Sequence, residues 1–140
     1  MSTVLGNLKL YLLLSVTLML LRKAQRNSGR VRALMREASF VFQIQTVRGA
    51  GGHFVLRDGA MRLKHALHPK PDLVQIWNSG NDAFRVMSSS DETDMLRAFD
   101  SGQCRMQGDF LIALWFNEAM KIARGRDSKQ IAAFLSTSKT

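Results

Sequence analysis

The segment Asp100-Ser-Gly-Gln-Cys-Arg-Met-Gln-Gly-Asp-Phe-Leu-Ile-Ala-Leu-Trp-Phe116 constrains this chain more than any other. It reads as a turn at Asp100–Gly102, a very short strand, a Gly-Asp corner and a strongly apolar helix. Gly108 can take backbone angles closed to other residues. Asp109 is a favoured N-cap, because its carboxylate accepts the unpaired amide hydrogens of the first helical turn. From Phe110 to Phe116 the helix is apolar on almost every side. Such a helix is buried all round or borders an apolar space. The fold must therefore supply an apolar layer for it to cover.

The rest of the chain supplies strands for that layer. Ser39–Val47 alternates, with Phe40, Phe42 and Ile44 on one face and Gln43 and Gln45 on the other, the pattern of a half-buried strand. Gly49-Ala-Gly-Gly52 is a loop. His53–Arg57 and Ala60–His65 flank Asp58-Gly59, a strong two-residue hairpin signal. Phe54, Leu56, Met61 and Leu63 then share one face. After Pro69 and Pro71, Asp72–Trp77 forms a fourth strand whose inward face is ambiguous. Helices are expected at Asn81–Met87, Ser90–Phe99 (capped by Ser90) and Phe110–Arg124, the last stopped at Gly125. A short strand covers Gln103–Gln107. A final helix at Ser128–Leu135 presents Ile131 and Phe134 on one side, and residues 137–140 form a polar, frayed tail.

The N-terminal arm has a different character. Leu10–Leu21 is a charge-free apolar run, followed by Arg22, Lys23, Arg26, Arg30, Arg32 and Arg36. Residues 1–37 hold seven Lys/Arg and a single acid, against thirteen and ten in the remainder, so most of the net charge of +9 sits in this arm. The run is shorter than the roughly 20 residues a spanning helix needs. Most of its basic residues follow the apolar stretch and no small-residue cleavage site follows it, so a secretory signal is not expected. An apolar helix with a polybasic flank is a two-part membrane signal. Arg22, Lys23, Arg26 and Arg30 are its candidate contacts to anionic lipid. The arm also suits an oligomer or enzyme-partner interface. Nucleic acid is not favoured, since no aromatic platform accompanies the charge.

A chain of 140 residues accommodates one domain. Cys104 is the sole cysteine, so no internal disulfide forms and a reducing, cytoplasmic setting is expected. No catalytic or metal constellation emerges. His65 and His68 are interrupted by Pro69 and have no neighbouring Cys or carboxylate. The glycines of 49–52 lead into a strand, not a helix, which excludes a phosphate-binding loop. No nucleophile elbow is present. The chain is therefore read as a non-enzyme without metal or cofactor. Eight Met and eight Phe provide a soft, deformable apolar interior.

The order of these elements, with Asp58-Gly59, Pro71-Asp72-Leu73, Ala98-Phe99-Asp100-Ser101-Gly102 and Met106-Gln107-Gly108-Asp109, resembles the sterol carrier protein type 2 family over roughly residues 38–125. The resemblance implies an α/β (α+β) fold. A curved antiparallel sheet of about five strands is covered on one face by helices, with an apolar tunnel between them. Residues 1–37 would add a long N-terminal helix to a lipid-binding domain at 38–136. The implied function is non-catalytic binding or transfer of a fatty acyl, sterol or isoprenoid-like ligand at a membrane surface. By their facing, the expected tunnel residues are Phe40, Phe42, Ile44, Phe54, Leu56, Met61 and Leu63 from the sheet. Met95, Phe99, Met106, Phe110, Leu111, Leu114 and Met120 would complete the wall. The family's lysine-type turn residue is replaced here by Gln103 and Cys104.

Overall fold

A computed structural model describes residues 2–89 and 91–138, with side chains described except at 2, 92 and 126–138. Two helices come first, α1 (Ser2–Asn27) and α2 (Gly29–Glu37). Strands β1 (Phe40–Thr46), β2 (Gly51–Arg57), β3 (Ala60–Lys64) and β4 (Leu73–Trp77) follow. Then come α3 (Gly80–Met87), α4 (Glu92–Asp100), β5 (Cys104–Gly108) and α5 (Phe110–Ser138). The described residues thus form five helices and one five-stranded sheet of order β3-β2-β1-β4-β5. This is the expected α+β arrangement with one correction. The sheet is mixed, because β1 and β4 pair in parallel, Phe42 opposite Leu73 and Ile44 opposite Gln75. Local alternation cannot distinguish the two pairings, since both place successive side chains on opposite faces.

Local chemistry explains most element ends. Asp58 and Gly59 both take positive φ, 54° and 77°, as a type I′ turn between β2 and β3 requires. Ser79 caps α3 by accepting from the Asp82 N–H at 3.1 Å. Asp91, not Ser90, is the observed cap of α4, accepting from the Thr93 N–H at 3.0 Å. Ser90 lies outside the described residues. Asp109 accepts from the Leu111 N–H at 3.0 Å and opens α5. Asp72 ties three strands together. Its carboxylate accepts from the Val41 N–H at 2.7 Å, and its carbonyl from the Asp109 N–H at 2.9 Å. A Cβ on Gly108, whose φ is +119°, would meet that carbonyl at 2.2 Å, so glycine is required there.

Two boundaries differ from the sequence reading. The basic arm is broken at Ser28, whose hydroxyl caps α2 by accepting from the Val31 N–H. The Arg32 guanidinium turns back to donate to the Gln25 and Arg26 carbonyls at the end of α1. Conversely, Gly125 does not stop α5, which continues to Ser138. An interior glycine costs a helix only about 1 kcal/mol, so a glycine alone does not oblige one to end. The side chains of Ile131 and Phe134, and residues 139 and 140, lie outside the description.

Candidate functional site

The strand register creates two unlike sheet faces. The inner face carries Phe40, Phe42 and Ile44 of β1 beside Phe54 and Leu56 of β2 and Met61 and Leu63 of β3. Leu73, Gln75 and Trp77 of β4, then Cys104 and Met106 of β5, complete it. Ile44, Phe54, Leu56, Leu73 and Trp77 are fully buried. One polar pair interrupts this floor: the buried Trp77 Nε1–H donates to Gln75 Oε1 at 2.7 Å.

The outer face is polar where the β3–β4 loop crosses it. His53 is buried, with Nδ1 2.7 Å from the Ala66 carbonyl and its ring edge-on to His68 at 5.0 Å. The His68 N–H donates to Gln43 Oε1 at 2.6 Å. His65 points elsewhere, 3.3 Å from the Ser15 hydroxyl and edge-on to Tyr11. The two histidines therefore separate and do not form a pair. Among the described residues, no group of three or more His, Cys, Asp and Glu gathers. Cys104 is buried, and desolvation pushes its thiol up to about 12, so it carries almost no thiolate near neutral pH.

Two long helices cover the inner face. Phe116 of α5 enters its centre, 4.8 Å from the Phe42 ring, 5.3 Å from Phe54 and 5.7 Å from Trp115. Trp115 stands edge-on to Phe40 at 5.0 Å and donates its Nε1–H to the Leu34 carbonyl of α2. Helix α1 lies along the β2–β3 side. Leu10, Leu13, Leu14, Leu21 and Ala24 are buried in the same core as the sheet. Buried Thr17 satisfies its hydroxyl within α1, donating to the Leu13 carbonyl at 2.8 Å. Glycines make room for this helix. A Cβ on Gly52 would lie 3.2 Å from Leu14 Cδ1, and one on Gly80 only 2.2 Å from the Gly6 carbonyl oxygen.

The expected wall residues separate into three groups. Phe40, Phe42, Ile44, Phe54, Leu56 and Met61 are buried on the inner face, where Leu63 and Met106 are partly buried. Met95, Phe99 and Met120 are partly buried against the core. Phe110, Leu111 and Leu114 do not face the sheet: they are 59%, 71% and 65% exposed. The aromatic contacts of Phe116 and Trp115 set the roll of α5. A helix apolar on all sides carries no stripe from which that roll could be read. Sequence reasoning missed Phe116 and Ile112, both buried on the inward side of α5, for the same reason. It missed Leu73 and Trp77 because Val74 and Ile76 make both faces of β4 equally apolar.

The outer side of α1 is apolar too. Leu5, Leu8, Leu12, Val16 and Met19 recur at helical spacing and are exposed. Arg22, Lys23, Arg26 and Arg30 follow, all exposed, with no acidic residue in α1. Arg22 also donates to the Met61 carbonyl, and Arg30 lies 3.7 Å from Glu118 across open surface. By length and composition alone, the stretch Thr3–Asn27 suffices to cross a bilayer; the same test admits the core helix of a soluble protein.

An α+β layer of this kind, a five-stranded sheet with helices on one apolar face, is the fold of the sterol carrier protein type 2 domains. Two solved structures share it. One is described as "UbiJ-SCP2 Ubiquinone synthesis protein", at TM-score 0.56 and 14% identity over 77% of this chain and 95% of that one. The other is the sterol carrier protein domain 2 of Helicoverpa armigera, at TM-score 0.53 and 20% identity over 77% of this chain and 85% of that one. No protein-family model matches the sequence, and no curated protein does. At these identities the likeness establishes the fold.

Proposed function

We propose that this protein is a non-catalytic lipid-binding or lipid-transfer module that works at a membrane surface on the cytoplasmic side. The observation that carries the reading is α1, which is apolar on both its sheet-facing and its solvent-facing sides and is continued by a basic flank. The inner face of the sheet provides the apolar floor for a ligand. Its expected contacts run from Phe40, Phe42 and Ile44 to Leu56 and Met61, with Met95, Phe99, Met106 and Met120 at the margins. The names of the two structural neighbours, a sterol carrier domain and a ubiquinone synthesis protein, support a sterol or isoprenoid-like ligand, and the apolar floor accepts a fatty acyl chain on the same physical ground. Selectivity among them is modest, since a methylene discriminates by only about 1–3 kcal/mol in an apolar site.

For the membrane, the exposed stripe and the basic flank act together. A fully buried Leu, Val or Met contributes about 1.5–3 kcal/mol, and a Lys or Arg beside an anionic surface about 1 kcal/mol. Five half-immersed side chains and four cations therefore contribute comparable amounts. Replacing Arg22, Lys23, Arg26 and Arg30 by Gln is expected to weaken sedimentation with phosphatidylglycerol vesicles at least tenfold, while binding to phosphatidylcholine vesicles changes little. Lipid extraction and native mass spectrometry of the purified chain test the cargo. Recovery of no lipid, together with no uptake of a fluorescent fatty acid, removes the proposal. The second reading, an α1-mediated oligomer or enzyme-partner subunit, has the same exposed stripe in its favour. Light scattering that shows a dimer dissolved by L12S/M19S, with vesicle binding intact, would select it.

A further inference from the structure

We infer that the acyl or prenyl chain of the ligand binds in the seat of α1, along β2 and β3, and that α1 vacates this seat by partitioning into the bilayer. The inference rests on the lipid-binding reading above and names its site. Four observations support it.

First, α1 occupies the space over β2 and β3, flanked by α3: its Leu14 packs at Gly52, its Arg22 and Gln25 reach the Met61 and Gly59 carbonyls, and its Gly6 meets Gly80 of α3. A chain lying on that strip must replace it. Second, the side-chain ties of α1 to the sheet are replaceable. Buried Thr17 bonds inside its own helix, and the side-chain ties to β3 and its flanking turns, at Ser15, Arg22 and Gln25, run along the open edge of the sheet where water can substitute. Third, the exchange is nearly neutral for the inward leucines, which pass from core to hydrocarbon. It favours Leu5, Leu8, Leu12, Val16 and Met19, which pass from water to hydrocarbon. Fourth, the chain is jointed at the right place. Helix α1 ends at Asn27, while α2 stays attached through buried Val31 and Met35 and through the Trp115–Leu34 hydrogen bond.

The test uses the full chain carrying S15C/H65C, two exposed positions whose native side chains meet at 3.3 Å. Cys104 is buried and desolvation raises its thiol pKa, so labelling is directed to the two introduced cysteines. A short bismaleimide bridge pins α1 to the sheet. Phosphatidylglycerol vesicles loaded with pyrene-hexadecanoic acid serve as donor. Bridging is expected to lower chain uptake at least tenfold relative to the same variant capped with N-ethylmaleimide. The G80A variant acts oppositely. Its Cβ collides with the Gly6 carbonyl and loosens α1, so uptake from vesicle-free micromolar fatty acid rises severalfold. Equal uptake by bridged and capped protein overturns the inference. The lipid-free step is read separately, with pyrene maleimide on both cysteines. Ligand-free vesicles are expected to abolish the excimer emission. Excimer loss without any chain uptake rejects the lipid-binding reading and leaves the release of α1 standing. Retention of the excimer on bound vesicles rejects the release.

Discussion

Helices α1 and α5 cover the same face of the same sheet and are held there in opposite ways. Helix α5 is locked by rings: Phe116 sits among Phe42, Phe54 and Trp115, with Trp115 in turn against Phe40 and α2. Helix α1 is laid into a recess. Aliphatic side chains press on β2 and β3 with close approach at Gly52, its N-terminal part packs along α3 where Gly6 meets Gly80, and its side-chain hydrogen bonds to the sheet side lie at an edge. Interdigitated aromatics gain contact energy that hydrocarbon solvent does not reproduce. Leucines on a smooth seat gain mainly burial, which a bilayer offers equally. On the inference drawn above, α1 is the mobile cover and α5 the fixed one.

The sharpest break of that comparison is at Phe116. Phe116→Ala is expected to destabilise the fold by about 3–5 kcal/mol, in the range for truncating a core aromatic, as read by urea denaturation. A cost under 1 kcal/mol would mean that α5 is no better anchored than α1. Gly80→Ala comes next, at about 1–3 kcal/mol, the usual cost of overpacking. Its signature is local: hydrogen exchange should rise in α1 while α5 stays protected. Uniform loss of protection would show that the two helices unfold as a unit.

Cys104 reports on the sheet edge remote from α1, in β5 opposite Trp77. Its folded pKa is raised to about 12, above the unfolded thiol's ordinary value. The stabilisation is thus complete below about pH 8.5 and falls as pH rises, at up to about 1.4 kcal/mol per unit. Cys104→Ala should flatten this alkaline slope. On vesicles the native thiol should stay resistant to alkylation; rapid labelling would show that the α5 side opens as well. The smallest stability effect belongs to the double change L8S/L12S on the outer side of α1. It should leave stability within about 0.5 kcal/mol, as expected of exposed positions, while vesicle binding drops severalfold.

Much of the fold was legible in local chemistry. Asp58-Gly59 announced its hairpin, Phe40, Phe42 and Ile44 their common face, and Gly108-Asp109 the corner into α5, because each signal acts within a few residues of itself. The site was less legible. The inward face of β4, the roll of α5 and the exposure of Phe110, Leu111 and Leu114 depend on partners distant in sequence. Where a segment is apolar on every side, pattern carries no direction.

The sequence by itself determined that an apolar sheet face must be covered by apolar helix, and that the N-terminal arm is greasy and then basic. Only the tertiary structure decided which helix covers which strands. It placed α1 over β2 and β3 through the close approach at Gly52, set it against α3 through the close approach of Gly6 to Gly80, and turned the Phe110 end of α5 outward. Such choices are made by shape complementarity between segments remote in the chain, a property that belongs to no single stretch of residues.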